Sequence, residues 1–362
     1  MSSKDKGAIV VDGAGGFIGG WAAEELHKAW FKVQATDLDS VDLSYLKELG
    51  IETRPSNLLD RASLDELLRG ASAVVHCAAA FDLSLPLPTL MKINVEGTEL
   101  LLRACQSAGI ERVVHLSTSG VYGIPTAAPV YEDHRIKPVD AYSVSKAKAE
   151  EVVNKFKNQG MKITMFRPTN VYGPRGRYTA GVLFPALCIL KERGLAIPRF
   201  KGGPPINMVH VEDVAGAIRF ALEHEATAGE VYNMAETDIY PAGDFFDLII
   251  DQFDLKTRGS LKMRTGLISI MGRIGMFMPA SLTVGPVQAY LQREWNKIVE
   301  KYSLEPVLKP SLARDFMPFL IGGPHAYSNE KLRKAGYVLR HPSIKESFGE
   351  VVKWYRERRW IP

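Results

Sequence analysis

Tyr142 and Lys146 stand four residues apart in AYSVSK, a spacing that puts both side chains on one face of a predicted helix. A tyrosine hydroxyl has a reference pKa of about 10 and is a poor base at neutral pH. An ammonium within about 4–6 Å favours the phenolate and lowers that pKa by roughly 1–3. A phenol tuned in this way exchanges protons efficiently near neutrality. The pair predicts proton transfer to or from a substrate oxygen, with Tyr142 as acid/base and Lys146 as the cation that keeps it poised. Tyr327 and Lys331 in YSNEK repeat the spacing, and that copy reads as structural. The difference lies upstream of Tyr142, where RVVHLSTSGVYG ends a predicted strand on hydroxyls. Thr118 is placed there to steady the reacting oxygen, with Ser117 and Ser119 as flanking alternatives. Asn94 in INVEGT either passes a hydrogen bond through water to Lys146 or serves as a helix or core amide.

A second set of residues is built for a dinucleotide. Gly13, Gly16 and Gly19 form GxxGxxG directly after the apolar run AIVV and at the start of a predicted helix. The first glycine permits the tight turn, the second lets backbone approach a pyrophosphate, and the third lets helix and strand pack closely. The pyrophosphate then sits on the helix N-terminus, where free N–H groups favour an anion. Asp37 follows the first glycine by 24 residues, at the end of the second predicted strand. A carboxylate there accepts ribose hydroxyls and repels a 2′-phosphate; with Leu38, Asp39 and Ser40 next, the cofactor expected is NAD rather than NADP. Asp12 is the odd member, a negative charge just before a diphosphate loop. It either points away or bonds to loop N–H groups.

These groups need a scaffold that brings strand ends together. Apolar runs of strand length (AIVV, FKVQATD, AVVHCAA, RVVHLSTS, MKITMFRP) alternate with helical stretches: Trp21 to Trp30, SLDELL, a long helix ending at Gly109, and another ending at Gly160. Such alternation means βαβ units and a parallel sheet covered on both faces. After Pro168 the pattern breaks into Gly- and Pro-rich segments, and then NMVHVEDVAGAIRFALEH and GEVYNMAE return to the sheet layer. The predicted organisation is α/β: a Rossmann-type doubly wound parallel sheet in residues 1–169 with 207–235 returning to it. Residues 170–206 and 236–325 form a smaller substrate-binding region, and 326–362 a capping turn and final helix.

Composition excludes several classes. The 362 residues carry a net charge of +4, too mild for a nucleic-acid binder. Cys77, Cys105 and Cys188 are scattered, with no metal-ligand spacing, so no metal site is expected and a reducing, cytoplasmic compartment fits. Met1 to Gly7 is short and polar, without a secretory leader's apolar core. Thr265 to Gln292 holds Arg273 as its only charge, but prolines and glycines interrupt it and argue against a span.

The motifs VDGAGGFIGG, VVHCAA, NVEGT, VVHLSTSGVYG, YSVSK, RPTNVYGPR, VHVEDVA and EVYNMAE run through most of the chain. In this order they resemble the extended short-chain dehydrogenase/reductase family, which also contains nucleotide-sugar epimerases and dehydratases. The resemblance implies an NAD domain, a smaller substrate domain, and a triad of Tyr142, Lys146 and Thr118. It places Phe17, Ile18, Asn57, Leu58, Ala78 and Ala79 along the cofactor, and Pro168 and Asn170 near nicotinamide and substrate. Asn57 departs from the family's usual Asp. The family's habit implies a homodimer through the helix Thr89–Ala108 and the Tyr142 helix.

The substrate divides the readings. Sugar-nucleotide members carry an arginine before the HVxD segment, and Ile206 stands in that place in GGPPINMVHVED. An isoleucine cannot clamp a phosphate, though Arg175, Arg177 or Arg199 could compensate. The stretch TGLISIMGRIGMFMPASLTVGPV is apolar, with Met263, Met271, Met276 and Met278 near or within it. The final helix mixes Lys353, Arg356, Arg358 and Arg359 with Trp354, Tyr355 and Trp360, as at a membrane interface. Both features look similar to the 3β-hydroxysteroid and sterol-4-carboxylate dehydrogenase branch; ordinary core packing explains them equally. The leading expectation is NAD-dependent oxidation of a secondary alcohol on a hydrophobic, steroid- or sterol-like substrate, with decarboxylation where a carboxylate lies one carbon away. The alternative is a nucleotide-sugar 4-epimerase or dehydratase; a catalytically silent NAD-sensing protein is the third.

Overall fold

A computed structural model describes residues 7–81, 85–263, 285–310 and 323–362. Six segments form parallel strands: β1 (Ala8–Asp12), β2 (Val33–Asp37), β3 (Glu52–Pro55), β4 (Ala71–His76), β5 (Arg112–Leu116) and β6 (Lys162–Pro168). Val231–Met234 joins them, and the order across the seven-stranded sheet is Val231–Met234, β6, β5, β4, β1, β2, β3. Every neighbouring pair is parallel. The winding reverses between β1 and β4, and ligands of such sheets bind beyond the carboxyl ends at that reversal.

Alternation along β1 sends Ile9 and Val11 to one core and Val10 to the other. The helix Phe17–Lys28 packs beside Val211–Glu223 on the first face. The helices Gly97–Ser107 and Ala141–Asn158 pack side by side over the other. Asp140 starts the latter: its carboxylate accepts from Ser143 N at 2.8 Å and from Ser143 Oγ at 2.7 Å. That cap fixes where Tyr142 begins its turn.

Some boundaries differ from expectation. The first helix runs Phe17–Lys28, and Trp30 lies beyond it with a φ of 64°. The long helix ending before Gly109 is three pieces: Leu87–Met91, a π-helical turn Lys92–Glu96, and Gly97–Ser107. The widened turn coincides with Asn94, whose amide is drawn to neighbouring backbone. In 170–206 and 236–263 the chain is more regular than its Gly and Pro content implied. Tyr178–Glu192 is a helix that contains Pro185, and Ile197–Gly202 pairs in parallel with Thr257–Met263. These elements, the helices Ala242–Gln252, Gly285–Lys301 and Ile344–Glu357, share a third core of Phe184, Phe245, Trp295, Phe348 and Tyr355.

The final helix turns its aromatics inward. Tyr355 is buried, and Trp354 and Trp360 pack against that core. A Trp354–Trp360 ring contact of 5.2 Å closes the cluster. Core packing thus accounts for the aromatic mixture that resembled a membrane interface. Among the described residues no helix is long and apolar enough to cross a membrane. The methionine-rich stretch lies outside them, apart from Met263, which is buried, and the segment from Gly285 onward.

Candidate active site

The glycine loop leaves β1 in a conformation that only glycine tolerates. Gly13 has φ of 63°, and a Cβ there would lie 2.6 Å from Ala78 N. A Cβ on Gly19 would collide with the Gly13 carbonyl oxygen. Gly16, exposed and extended, precedes the helix, and Phe17 and Ile18 open its first turn partly exposed. Asp37 closes the rim: Oδ2 accepts from Gly15 N at 3.0 Å and Oδ1 from Leu38 N at 2.8 Å. Ala78 and Ala79 follow β4 on the opposite wall, partly exposed. Asn57 is exposed beyond β3 with Leu58 beside it; its Oδ1 accepts from Leu59 N at 2.9 Å. A loop without side chains, a helix N-terminus and a carboxylate on the rim fit NAD: they would hold the pyrophosphate and the ribose hydroxyls.

Asp12 neither points away nor caps the glycine loop. Its Oδ1 accepts from Cys77 N at 2.7 Å and Ala78 N at 2.8 Å, and its Oδ2 lies 2.7 Å from His76 Nδ1.

Tyr142 and Lys146 share the helix face as the spacing predicts, but their relation differs from expectation. Lys146 is buried and donates to the Leu116 carbonyl oxygen at 2.7 Å. Burial pushes its ammonium down to about 8, against Glu150, Asp12 and Cys77, which favour the charge. The Tyr142 phenol is pushed up from its ordinary value, by burial first and then by the Asp140 carboxylate. The anticipated lowering by Lys146 is absent in this arrangement, because the ammonium is directed at the end of β5. Tyr142 is partly exposed and meets Phe81 edge-on at 4.9 Å between ring centroids; Phe81 meets Tyr178 likewise at 4.8 Å.

The three hydroxyls after β5 separate by burial. Ser117 Oγ is buried and donates to Glu150 at 2.6 Å, and Ser119 is buried. Thr118 keeps exposed surface, with its Oγ1 accepting from Gly120 N at 3.1 Å. The Asn94 side chain is tied to its neighbours: Oδ1 accepts from Ala80 N at 2.7 Å, and Nδ2 donates to Ser145 Oγ at 2.9 Å and Ala80 O at 3.2 Å. Pro168 ends β6, buried, and Asn170 lies just beyond it, partly exposed. Tyr327 is buried in the core, while Lys331 reaches Glu230 at 2.7 Å on the surface. That separation is what a structural copy of the spacing requires.

Sequence reasoning missed four residues here. Glu150, one further turn along the Tyr142 helix, accepts from Arg167 Nε at 2.9 Å and Nη2 at 2.7 Å, all buried. Its signal was present: a lone arginine in an apolar strand needs a buried carboxylate. Phe81 and Tyr178 carried no signal beyond being aromatic. Ile206 is core, paired with Tyr240 across two short strands. Of the arginines that could replace it, Arg175 pairs with Glu24, Arg199 pairs with Asp251 at 2.5 Å, and Arg177 lies 5.9 Å from the Trp360 ring. One trio among the described residues, His210, Glu212 and His341, brings metal-ligand atoms within 4.8 Å of one another. Its members already serve the fold: His210 Nδ1 accepts from Glu212 N at 3.2 Å, and His341 Nε2 lies 2.9 Å from Glu212.

The doubly wound sheet with a glycine loop at its reversal defines a dinucleotide-binding α/β protein. The chain belongs to the NAD dependent epimerase/dehydratase family, whose model matches residues 9–235. It is an NAD-dependent enzyme of the extended short-chain dehydrogenase/reductase type. It is 30% identical over 251 residues to a dihydroflavonol 4-reductase of Hordeum vulgare, covering 62% of this chain and 70% of that one. It is 30% identical over 248 residues to a UDP-N-acetyl-alpha-D-glucosaminuronate decarboxylase of Bacillus cytotoxicus, covering 64% and 76%. A trifunctional UDP-glucose 4,6-dehydratase of Arabidopsis thaliana is 29% identical, with 72% of this chain spanning 42% of that enzyme. In fold the chain is similar to a UDP-glucose 4-epimerase of Thermotoga maritima (TM-score 0.69, 19% identity, 97% and 99% covered).

Proposed function

We propose that this enzyme interconverts a secondary alcohol and a ketone on an apolar, ring-bearing substrate. The observation that carries the reading is a pair of exposed aromatics beside the site: Phe81 meets the Tyr142 ring edge-on, and Tyr178 meets Phe81 in turn. An aromatic wall favours an apolar ring over a hydroxyl-coated one. The absence of an arginine at Ile206, and the internal engagement of Arg175 and Arg199, point the same way. Steroid- and sterol-like molecules fall within this class, as does a flat phenolic ring system.

Bound NAD supplies the hydride chemistry, and the chain's own residues manage the oxygen and its proton. Thr118 holds the substrate oxygen. Tyr142, with its pKa pushed up, is a protonated phenol at neutral pH and therefore a proton donor. That state suits ketone reduction directly. Alcohol oxidation first requires the phenol to lose its proton, which the Lys146 ammonium assists by turning from the Leu116 carbonyl toward the ring. If a carboxylate lies one carbon from the new ketone, the β-keto acid loses carbon dioxide without further catalytic groups.

The competing reading is epimerisation or dehydration of a nucleotide sugar. What favours it is the identity to sugar-nucleotide enzymes, at 30% for the Bacillus decarboxylase and 29% for the Arabidopsis dehydratase. A substrate screen on the full chain separates them, following NADH absorbance with apolar ring ketones and alcohols beside UDP-, GDP- and dTDP-sugars. Net NADH consumption with the apolar ketones, or net NADH formation with the apolar alcohols, supports the proposal. Sugar conversion without net NADH change, and no turnover of the apolar set, overturns it. Tyr142→Phe is expected to cut kcat about 10²–10⁴-fold while NAD still binds; undiminished turnover ends the catalytic assignment.

A further inference from the structure

The cofactor reading gives Asp12 no role, and a carboxylate beneath a diphosphate loop adds repulsion. Its contacts supply the missing reason. One oxygen takes both the Cys77 and Ala78 amides, and the other meets His76 Nδ1. His76 Nε2 lies 2.9 Å from Thr98 Oγ1, and the Thr98 hydroxyl donates to Asn94 O at 2.7 Å. Asn94 holds Ala80 and Ser145, and Ser145 Oγ donates to the Tyr142 carbonyl at 2.7 Å. A continuous hydrogen-bonded chain thus joins the strand under the glycine loop to the helix that carries Tyr142. It pins the crevice wall at two points, with Asp12 on Cys77 and Ala78 and Asn94 on Ala80.

Charge adds a second argument. Lys146 is buried among Asp12 of β1, Cys77 after β4, His115 of β5, and Glu150 of its own helix. Arg167 of β6 holds Glu150 through two hydrogen bonds and matches its charge. Asp12 is therefore the carboxylate near Lys146 that no guanidinium neutralises. An asparagine would make the same two amide contacts, so the clamp alone does not require an acid at this position.

We propose that Asp12 is a positioning residue for the reaction, fixing the Cys77–Ala78 wall of the dinucleotide crevice and holding Lys146 in its ammonium form. The proposal rests on the reading of Tyr142 and Lys146 above. Burial brings the Lys146 ammonium down to about 8, with Glu150 first and Asp12 next among the groups that favour its charge, so losing the Asp12 carboxylate lowers it further.

The test compares Asp12→Asn with Asp12→Ala in the full chain. Asn keeps an acceptor for both amides and removes the charge; Ala removes both. NAD affinity, read by tryptophan fluorescence, should stay within about three-fold for Asp12→Asn and weaken at least about ten-fold for Asp12→Ala. The Lys146 titration, followed by ¹⁵N NMR of lysine-labelled chain and assigned by its loss in Lys146→Arg, should move down by about one pH unit in Asp12→Asn. From a midpoint of about 8, that reduces the charged fraction at pH 8 about five-fold, and the high-pH limb of kcat/KM moves with it. A Lys146 titration unmoved in Asp12→Asn means that His76 already cancels the charge, and overturns the proposal. So does NAD binding undiminished in Asp12→Ala. If Asp12→Ala does not fold, Asp12→Asn still decides the charge. The NMR titration needs no turnover, so it stands apart from the Tyr142→Phe result that tests the site itself.

Discussion

The sheet domain beside the crevice and the C-terminal core are held by different forces. On the cofactor side, Asp12, His76, Thr98, Asn94 and Ser145 form a buried hydrogen-bonded chain, and Glu150 and Arg167 a buried ion pair beside it. In the C-terminal core, Phe184 meets Phe253 and Tyr355 at 5.0 and 5.1 Å and Phe348 at 6.2 Å, among aromatic and aliphatic surfaces. Hydrogen bonds specify the positions of particular atoms, whereas apolar packing specifies volume. A dinucleotide whose diphosphate and ribose must each meet fixed groups needs the first. A region that only has to fill space can be held by the second.

Two substitutions of similar thermodynamic size should break the two sides in different ways. Glu150→Gln leaves the Arg167 guanidinium buried without its counter-charge and should destabilise the fold by about 3–5 kcal/mol. Because Glu150 is also the foremost group favouring the Lys146 charge, the high-pH limb of activity should fall as well. Phe184→Ala should destabilise by a similar amount, about 3–5 kcal/mol, through the cavity it leaves. Its cost should appear in denaturant unfolding and in substrate KM, with NAD affinity and pH profile unchanged. If Phe184→Ala weakened NAD as much as substrate, the two sides would be one cooperative unit and the contrast would be lost.

The same contrast explains what the sequence disclosed. The glycine loop, Asp37 and the Tyr142–Lys146 spacing were legible because each depends on local backbone geometry: a turn that needs Gly13, a strand end, one helix face. The direction of the Lys146 ammonium was not, since its partner is a backbone carbonyl 30 residues away. Asp12 drew attention by its charge, yet its partners lie 65 and 66 residues on, beyond any local pattern. The helix Tyr178–Glu192 was hidden by Pro185, which tertiary packing tolerates. Phe81 and Tyr178 meet only in three dimensions.

The smallest predicted effect concerns a polar island inside the apolar side. Glu236 is buried, and its Oε2 accepts from Ile344 N at 2.7 Å at the start of the final long helix. Burial is the largest influence on its carboxyl and pushes it up to about 8, with Asp238 and Asp213 adding to the rise and the Ile344 amide opposing it. An unfolded glutamate titrates near about 4.3. The folded value lies above the unfolded one, so the native state binds this proton more tightly. The stability it contributes is complete below about pH 4.3 and is lost as pH rises through about 8. Glu236→Gln keeps an oxygen for the Ile344 amide and carries no charge to bury. The variant should match the parent near about pH 5 and exceed it near about pH 9 by on the order of 1–3 kcal/mol. That corresponds to about 1–2 °C in Tm for each kcal/mol in a chain of this length. Tm curves for parent and variant that run parallel across this range would show that the carboxyl does not titrate on unfolding, and that the island is held by hydrogen bonds alone.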